Sequence, residues 1–138
     1  MSGFKNILLL MLICTSPAMA GLSVFVSVLP QKMLVERIAG SRADVSVMVG
    51  KGFNPATYQP TPRQLAKLAN ADMYLRTGVP FEDSWLPRFR SVNSHMAVLD
   101  LREGLELMPV AGHAHAGHGE ALDPHIWTDP LLLDHQAL

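Results

Sequence analysis

The chain has 138 residues, of which 17% are charged and 49% hydrophobic, and its net charge is −1 with histidines neutral. A globular domain averages about a quarter charged residues, so this chain is lean in charge. Its length fits one small domain with a real core. Composition excludes full disorder, a collagen-like repeat and a coiled coil. With 11 basic against 12 acidic residues there is no basic footprint, so nucleic acid is not an expected partner.

Residues 1–20 read as a secretory signal peptide. Lys5 supplies the positive start, ILLLMLIC at 7–14 is the apolar run, and Ala18-Met19-Ala20 is a small-x-small cleavage site. The run falls short of the ~20 residues that span a bilayer. A lipoprotein signal would need a small residue before the cysteine, and Ile13 precedes Cys14. Cleavage after Ala20 would remove the single cysteine, so no disulfide framework is expected.

The remainder alternates strand and helix. LSVFVSVL at 22–29 suits a strand buried on both faces of a parallel sheet. Pro30 can open a helix that Gly40 closes, with Leu34 and Ile38 on its apolar face. DVSVMV at 44–49 is a second strand, followed by a Gly/Pro-rich loop over 50–60. Thr61-Pro62-Arg63-Gln64 is a capping box with proline in the first turn, and Leu65, Leu68 and Ala69 continue that helix. Residues 72–75 form a short third strand ended by Gly78. Residues 81–89 are helical with an interruption near Pro87, and MAVLDL at 96–101 is a fourth strand. Strands separated by helices imply βαβ units: an α/β fold with a parallel, Rossmann-like sheet flanked by helices. A last helix is expected to start at Asp129-Pro130.

Two histidine clusters carry the chemistry. The first is a His-rich loop at 112–119, GHAHAGHG, with His113, His115 and His118. Imidazoles at this density can wrap zinc, nickel or copper, although ordering such a loop opposes tight binding. Its rival reading is a solvated linker. The second is DPHIWTDP at 123–130, where His125 lies between two prolines and beside Trp127. Stiff backbone and a tryptophan anchor would present a preorganised imidazole. Here the rival is a histidine hydrogen-bonded at a helix start. His95 and His135 have no motif context and read as surface residues. There is no nucleophile–base pair, P-loop, G-x-G-x-x-G or H-E-x-x-H, so the chain does not read as an enzyme.

SVLPQKMLVERIAG, VSVMVGKGFNPATYQPTP, ADMYLRTGVPFED, the His-rich loop and DPHIWTDP together resemble the periplasmic substrate-binding proteins of ABC-type zinc and manganese importers. The resemblance implies one lobe of a two-lobed periplasmic receptor that holds a divalent metal ion, zinc or alternatively manganese, in the cleft between lobes. It implies an ABC permease in the inner membrane as partner, a periplasmic location and no catalytic cofactor. Residues 21–138 would form the N-terminal metal-binding lobe, with the inter-lobe helix starting at 130–138. The C-terminal lobe would be absent, making the chain a fragment, a truncated product or half of a split pair. A free-standing periplasmic metal chaperone or buffer using the His-rich loop is the alternative.

His125 matches one family ligand directly. The other departs: the family pattern is Pro-His-x-Tyr, and this chain reads Pro55-Ala56-Thr57-Tyr58. Alanine has no donor atom. Three explanations stand: fewer protein ligands with water in the gap; a substitute from His113, His115 or His118; or coordination by Tyr58. The second is preferred.

Overall fold

The computed structural model describes residues 21–108 and 123–129. The signal expected at 1–20, the His-rich loop with His113, His115 and His118, and the helix expected from Pro130 lie outside the described residues.

Strands β1 (Leu22–Val28), β2 (Ala43–Val49), β3 (Met73–Arg76) and β4 (Ala97–Asp100) alternate with helices α1 (Leu29–Ala39), α2 (Pro62–Leu68) and α3 (Pro80–Val92). Short 3-10 turns occupy Gly40–Arg42 and Ile126–Thr128. All pairings are parallel, and the strand order is β2-β1-β3-β4. The expected α/β class with a parallel sheet is therefore what forms.

β1 is central, and its Val24–Val28 run is buried without a break. Side chains alternate faces along a strand. Val24, Val26, Val45 and Leu75 pack with Val35 of α1 on one face. Phe25, Met48, Tyr74, Leu68, Phe81 and Phe89 fill the other, under α2 and α3. Each large apolar side chain removed from water contributes about 1.5–3 kcal/mol, so this second face is the heavier core.

Local signals set the helix ends. Thr61 accepts from the Gln64 amide at 3.3 Å, while the Gln64 side chain accepts from the Thr61 amide at 2.9 Å. Gln64 also donates to the Met48 carbonyl at 2.6 Å, and Lys32 donates to the Val45 carbonyl at 2.6 Å. Both side chains thus grip the edge strand β2. Asn93 closes α3 and donates to the Leu68 and Ala71 carbonyls at 3.0 and 2.8 Å, tying α3 to the end of α2.

Two local expectations change. α3 runs through Pro87 without interruption. Pro87 and Asp83, one turn apart, are both exposed, so the carbonyl that Pro87 leaves without a helix bond can turn to water. Ile38 does not join the apolar face of α1 and is 49% exposed; Gln31 is buried there instead. The end of α1 overhangs the amino ends of the strands, where Leu22 is exposed too.

Candidate metal centre

In an open parallel sheet, ligands bind outside the carboxyl ends of the strands, where the crossovers diverge. Here β1 leads to β2 on one side and β3 leads to β4 on the other, which places the crevice between the ends of β1 and β3. The loops that carry Ala56 and His125 both come to this end.

The two loops share a local design. Asn54-Pro55-Ala56 closes on itself through the Ala56 amide, which donates to Asn54 Oδ1 at 2.9 Å. Asp123-Pro124-His125 closes the same way, with the His125 amide donating to Asp123 Oδ1 at 2.9 Å. Each is an Asx turn stiffened by a central proline. Ala56 and His125 occupy the same place in matched turns. Each turn also docks by its proline carbonyl on the stretch that leads from the end of β3 into the first turn of α3. The Phe81 amide donates to Pro55 at 3.3 Å, and Thr77 Oγ1 donates to Pro124 at 3.3 Å.

His125 is well placed to act as a ligand. Its side chain is 61% exposed, and Nδ1 lies 2.5 Å from Asp123 Oδ1. With a carboxylate as acceptor, Nδ1 carries the proton and Nε2 presents its lone pair. The Trp127 ring stands edge-on at 5.2 Å and limits the imidazole's rotation. Trp127 in turn packs against the α2–α3 core, and Ile126 is buried. Donation from the His125 amide, then from its ring, holds the Asp123 carboxyl below the usual carboxylate range. A cavity of about 260 Å³ beside His125 is lined by Glu106, Met108, Asp123 and Asp129 among others. Among the described residues, no group of three or more His, Cys, Asp or Glu converges to hold a metal ion.

The tyrosine of the loop at Ala56 is held by its neighbours. The Tyr58 hydroxyl donates to Gln64 Oε1 at 2.8 Å, and its ring packs edge-on against Phe53 and Phe81 at 5.6 and 5.7 Å. Tyr58 anchors the loop. His95 is exposed, as expected for a surface residue.

Beneath the crevice lies a buried polar cluster that the sequence reading passed over. Glu82, in the first turn of α3, is completely buried. It accepts from the Thr77 amide at 2.9 Å, the Gly78 amide at 2.7 Å and Arg76 Nε at 3.2 Å. Ser27 also donates to it, and Ser27 exchanges a 2.7 Å hydrogen bond with Tyr74. Burial, reinforced by the Glu82 charge, holds the Tyr74 phenol above the usual tyrosine range. Gly78 has φ +85°, and the Arg102 guanidinium lies against its Cα. Arg102 forks onto Asp100 at 2.8 and 2.6 Å, which depresses the Asp100 carboxyl. A glutamate two residues after the helix-opening Pro80 was the sequence signal for this cluster.

The fold and its paired Asx turns define a doubly wound α/β lobe that presents two matched turns at the carboxyl ends of its strands. The chain belongs to the family described as ZnuA, zinc-uptake complex component A, periplasmic, whose profile matches residues 24–137. A relative, the zinc-binding lipoprotein AdcA of Streptococcus pneumoniae, is 24% identical over 80% of this chain and 24% of its own length. The manganese-binding lipoprotein MntA of Halalkalibacterium halodurans is 29% identical over 70% of this chain and 30% of its own. A crystal structure of a zinc-bound ZnuA deletion mutant superposes with TM-score 0.76 and 35% identity, over 85% of this chain and 43% of that one. The chain thus spans less than half the length of the relatives it matches.

Proposed function

We propose that this chain captures a divalent metal ion, zinc in the first place, for an ABC-type importer. His125 supplies one ligand through Nε2. Residues 21–138 act as the lobe that carries this ligand, behind a leader at 1–20. The reading assigns the chain to the periplasm and an inner-membrane permease as its partner. What carries it is the His125 ring, fixed by Asp123 and Trp127 at the crevice of a lobe whose family takes up zinc.

The chemistry is ligand exchange. A neutral imidazole is a good ligand for zinc, while oxygen donors shift preference toward manganese. One ligand from the described residues leaves about three positions of a tetrahedral site for water, for the His-rich loop or for a facing lobe. His113, His115 and His118 remain the proposed substitutes for the ligand missing at Ala56. Affinity of the chain alone is therefore expected to be weaker than nanomolar. Zinc and manganese titrations by calorimetry test this, with the His125→Ala variant alongside. That variant should lose most of the zinc affinity. Unchanged binding would overturn the assignment of His125.

A further inference from the structure

We infer that Thr77 is a positioning residue for His125, and that the buried carboxylate of Glu82 fixes Thr77 for this task. The inference rests on the reading of His125 as a metal ligand. It concerns how the lobe aims that ligand, which the ligand's identity alone does not determine.

The connection from β3 to α3 spans residues 77–79 and leads directly into the first turn of α3, which holds Phe81 and Glu82. Thr77 in this connection holds Pro124, and Phe81 in the first turn of α3 holds Pro55 and packs edge-on against Tyr58. A mount is useful only if it is rigid. Two consecutive backbone amides of this connection, those of Thr77 and Gly78, both donate to Glu82. Glu82 is held in turn by Arg76 from β3 and Ser27 from β1. Such a carboxylate is acceptor-only and has its lone pairs occupied from three directions. The bonds from Thr77 and Ser27 are buried and those from Gly78 and Arg76 partly so, and loss of a partner around the fully buried carboxylate leaves an unsatisfied group. The connection therefore has one conformation, set by the two strands that flank the crevice.

Thr77 passes that position outward. Its amide is fixed by Glu82, its side chain is fully buried, and its hydroxyl reaches the carbonyl just before His125. At 3.3 Å the bond is longer than the ~2.8 Å usual for hydroxyls; its donor is fully buried and its acceptor residue, Pro124, half-buried. Inside the turn, the Asp123 carboxylate then orients the ring. Glu82 thus sets Thr77, Thr77 sets the turn, and Asp123 sets the imidazole.

The test compares Thr77→Val, which keeps shape and removes the hydroxyl, with Thr77→Ser, which restores it. Zinc alone is titrated against the full chain, and amide and ring NMR signals of residues 123–129 are followed without metal. We expect Thr77→Val to weaken zinc binding roughly tenfold, as for other groups that orient a ligand from behind. Its 123–129 signals should shift, while Thr77→Ser returns both readouts to the parent. If Thr77→Val leaves the 123–129 signals in place, the inference is overturned, whatever zinc does. If those signals move and recover with serine but His125→Ala binds zinc normally, the positioning stands and the ligand reading falls. A loss of stability in Thr77→Val with unmoved 123–129 signals marks a merely structural threonine and also overturns it.

Discussion

Replacing Gly78 by alanine tests the close approach at the crevice floor, and Gly52 supplies the control. Both glycines have φ +85°, a conformation that a side chain disfavours by about 1–2 kcal/mol. At Gly52 an added Cβ meets nothing within 4 Å. At Gly78 it would lie 2.5 Å from Arg102 Cζ and 2.7 Å from Nε, inside contact distance. Arg102 must then leave, and its fork onto the partly buried Asp100 goes with it. A forked pair whose side chains are only 26% and 29% exposed contributes about 1 kcal/mol. Gly78→Ala should therefore destabilise by about 2–3 kcal/mol and Gly52→Ala by about 1–2. Urea unfolding followed by tryptophan fluorescence measures both, provided the slope with denaturant is unchanged. In an Arg102→Ala background the Gly78→Ala effect should fall to the Gly52 value. Equal effects of the two glycine substitutions in the parent chain would refute the reasoning.

Ala56→His places an imidazole in the turn that matches His125's, and should raise zinc affinity at least about a hundredfold if both rings reach one ion; unchanged affinity in a competition assay would show that the two turns do not converge. Thr61→Ala removes the α2 cap and should lower stability by about 1 kcal/mol, read by the same urea titration. The Asp100 carboxyl is depressed in the fold, so its contribution is present above the ordinary carboxylate value near 4 and is lost as pH falls below it. Asp100→Asn should accordingly lower stability at neutral pH and flatten the acid limb, and an acid limb as steep as the parent's would count against the Arg102 fork. The Tyr74 phenol is raised in the fold, so its contribution is present below the ordinary value near 10 and declines as pH rises beyond it. In a Tyr58→Phe chain, where Tyr74 is the remaining tyrosine, tyrosinate absorbance should appear only together with loss of the circular dichroism of the fold.

The periodic elements were legible because each rests on local chemistry. The uncharged Val-rich run of β1 announces a strand covered on both faces, and Thr61 with Gln64 announces a helix start. The strand order was not legible, because it depends on which way each crossover packs. Ile38 misled because the face of a helix counts only where a strand lies beneath it. His125 stood out through its flanking prolines, whereas the Asx turn that Asp123 closes onto it emerges only in the structure. Thr77 and Glu82 did not stand out. A glutamate in the first turn of a helix ordinarily faces water and complements the helix dipole, and only the closeness of β1 to β3 buries this one. The gap at Ala56 was visible by comparison with the family pattern, and Tyr58 engages its hydroxyl with Gln64.

The grip of Lys32 and Gln64 on β2 has a consequence unrelated to metal. A sheet that ends in an open strand is a template on which another chain can add its own strand. β2 ends this sheet, and it is rich in valine, a composition that favours such growth. Val45 and Met48 are three residues apart, so their carbonyls point to opposite sides of β2, and one of the two helix side chains occupies an acceptor on the open edge that an incoming strand would need. Lys32 also brings a charge that an incoming apolar strand would have to desolvate. An added strand would have to displace the bond on the open edge, which works against growth of the sheet at β2.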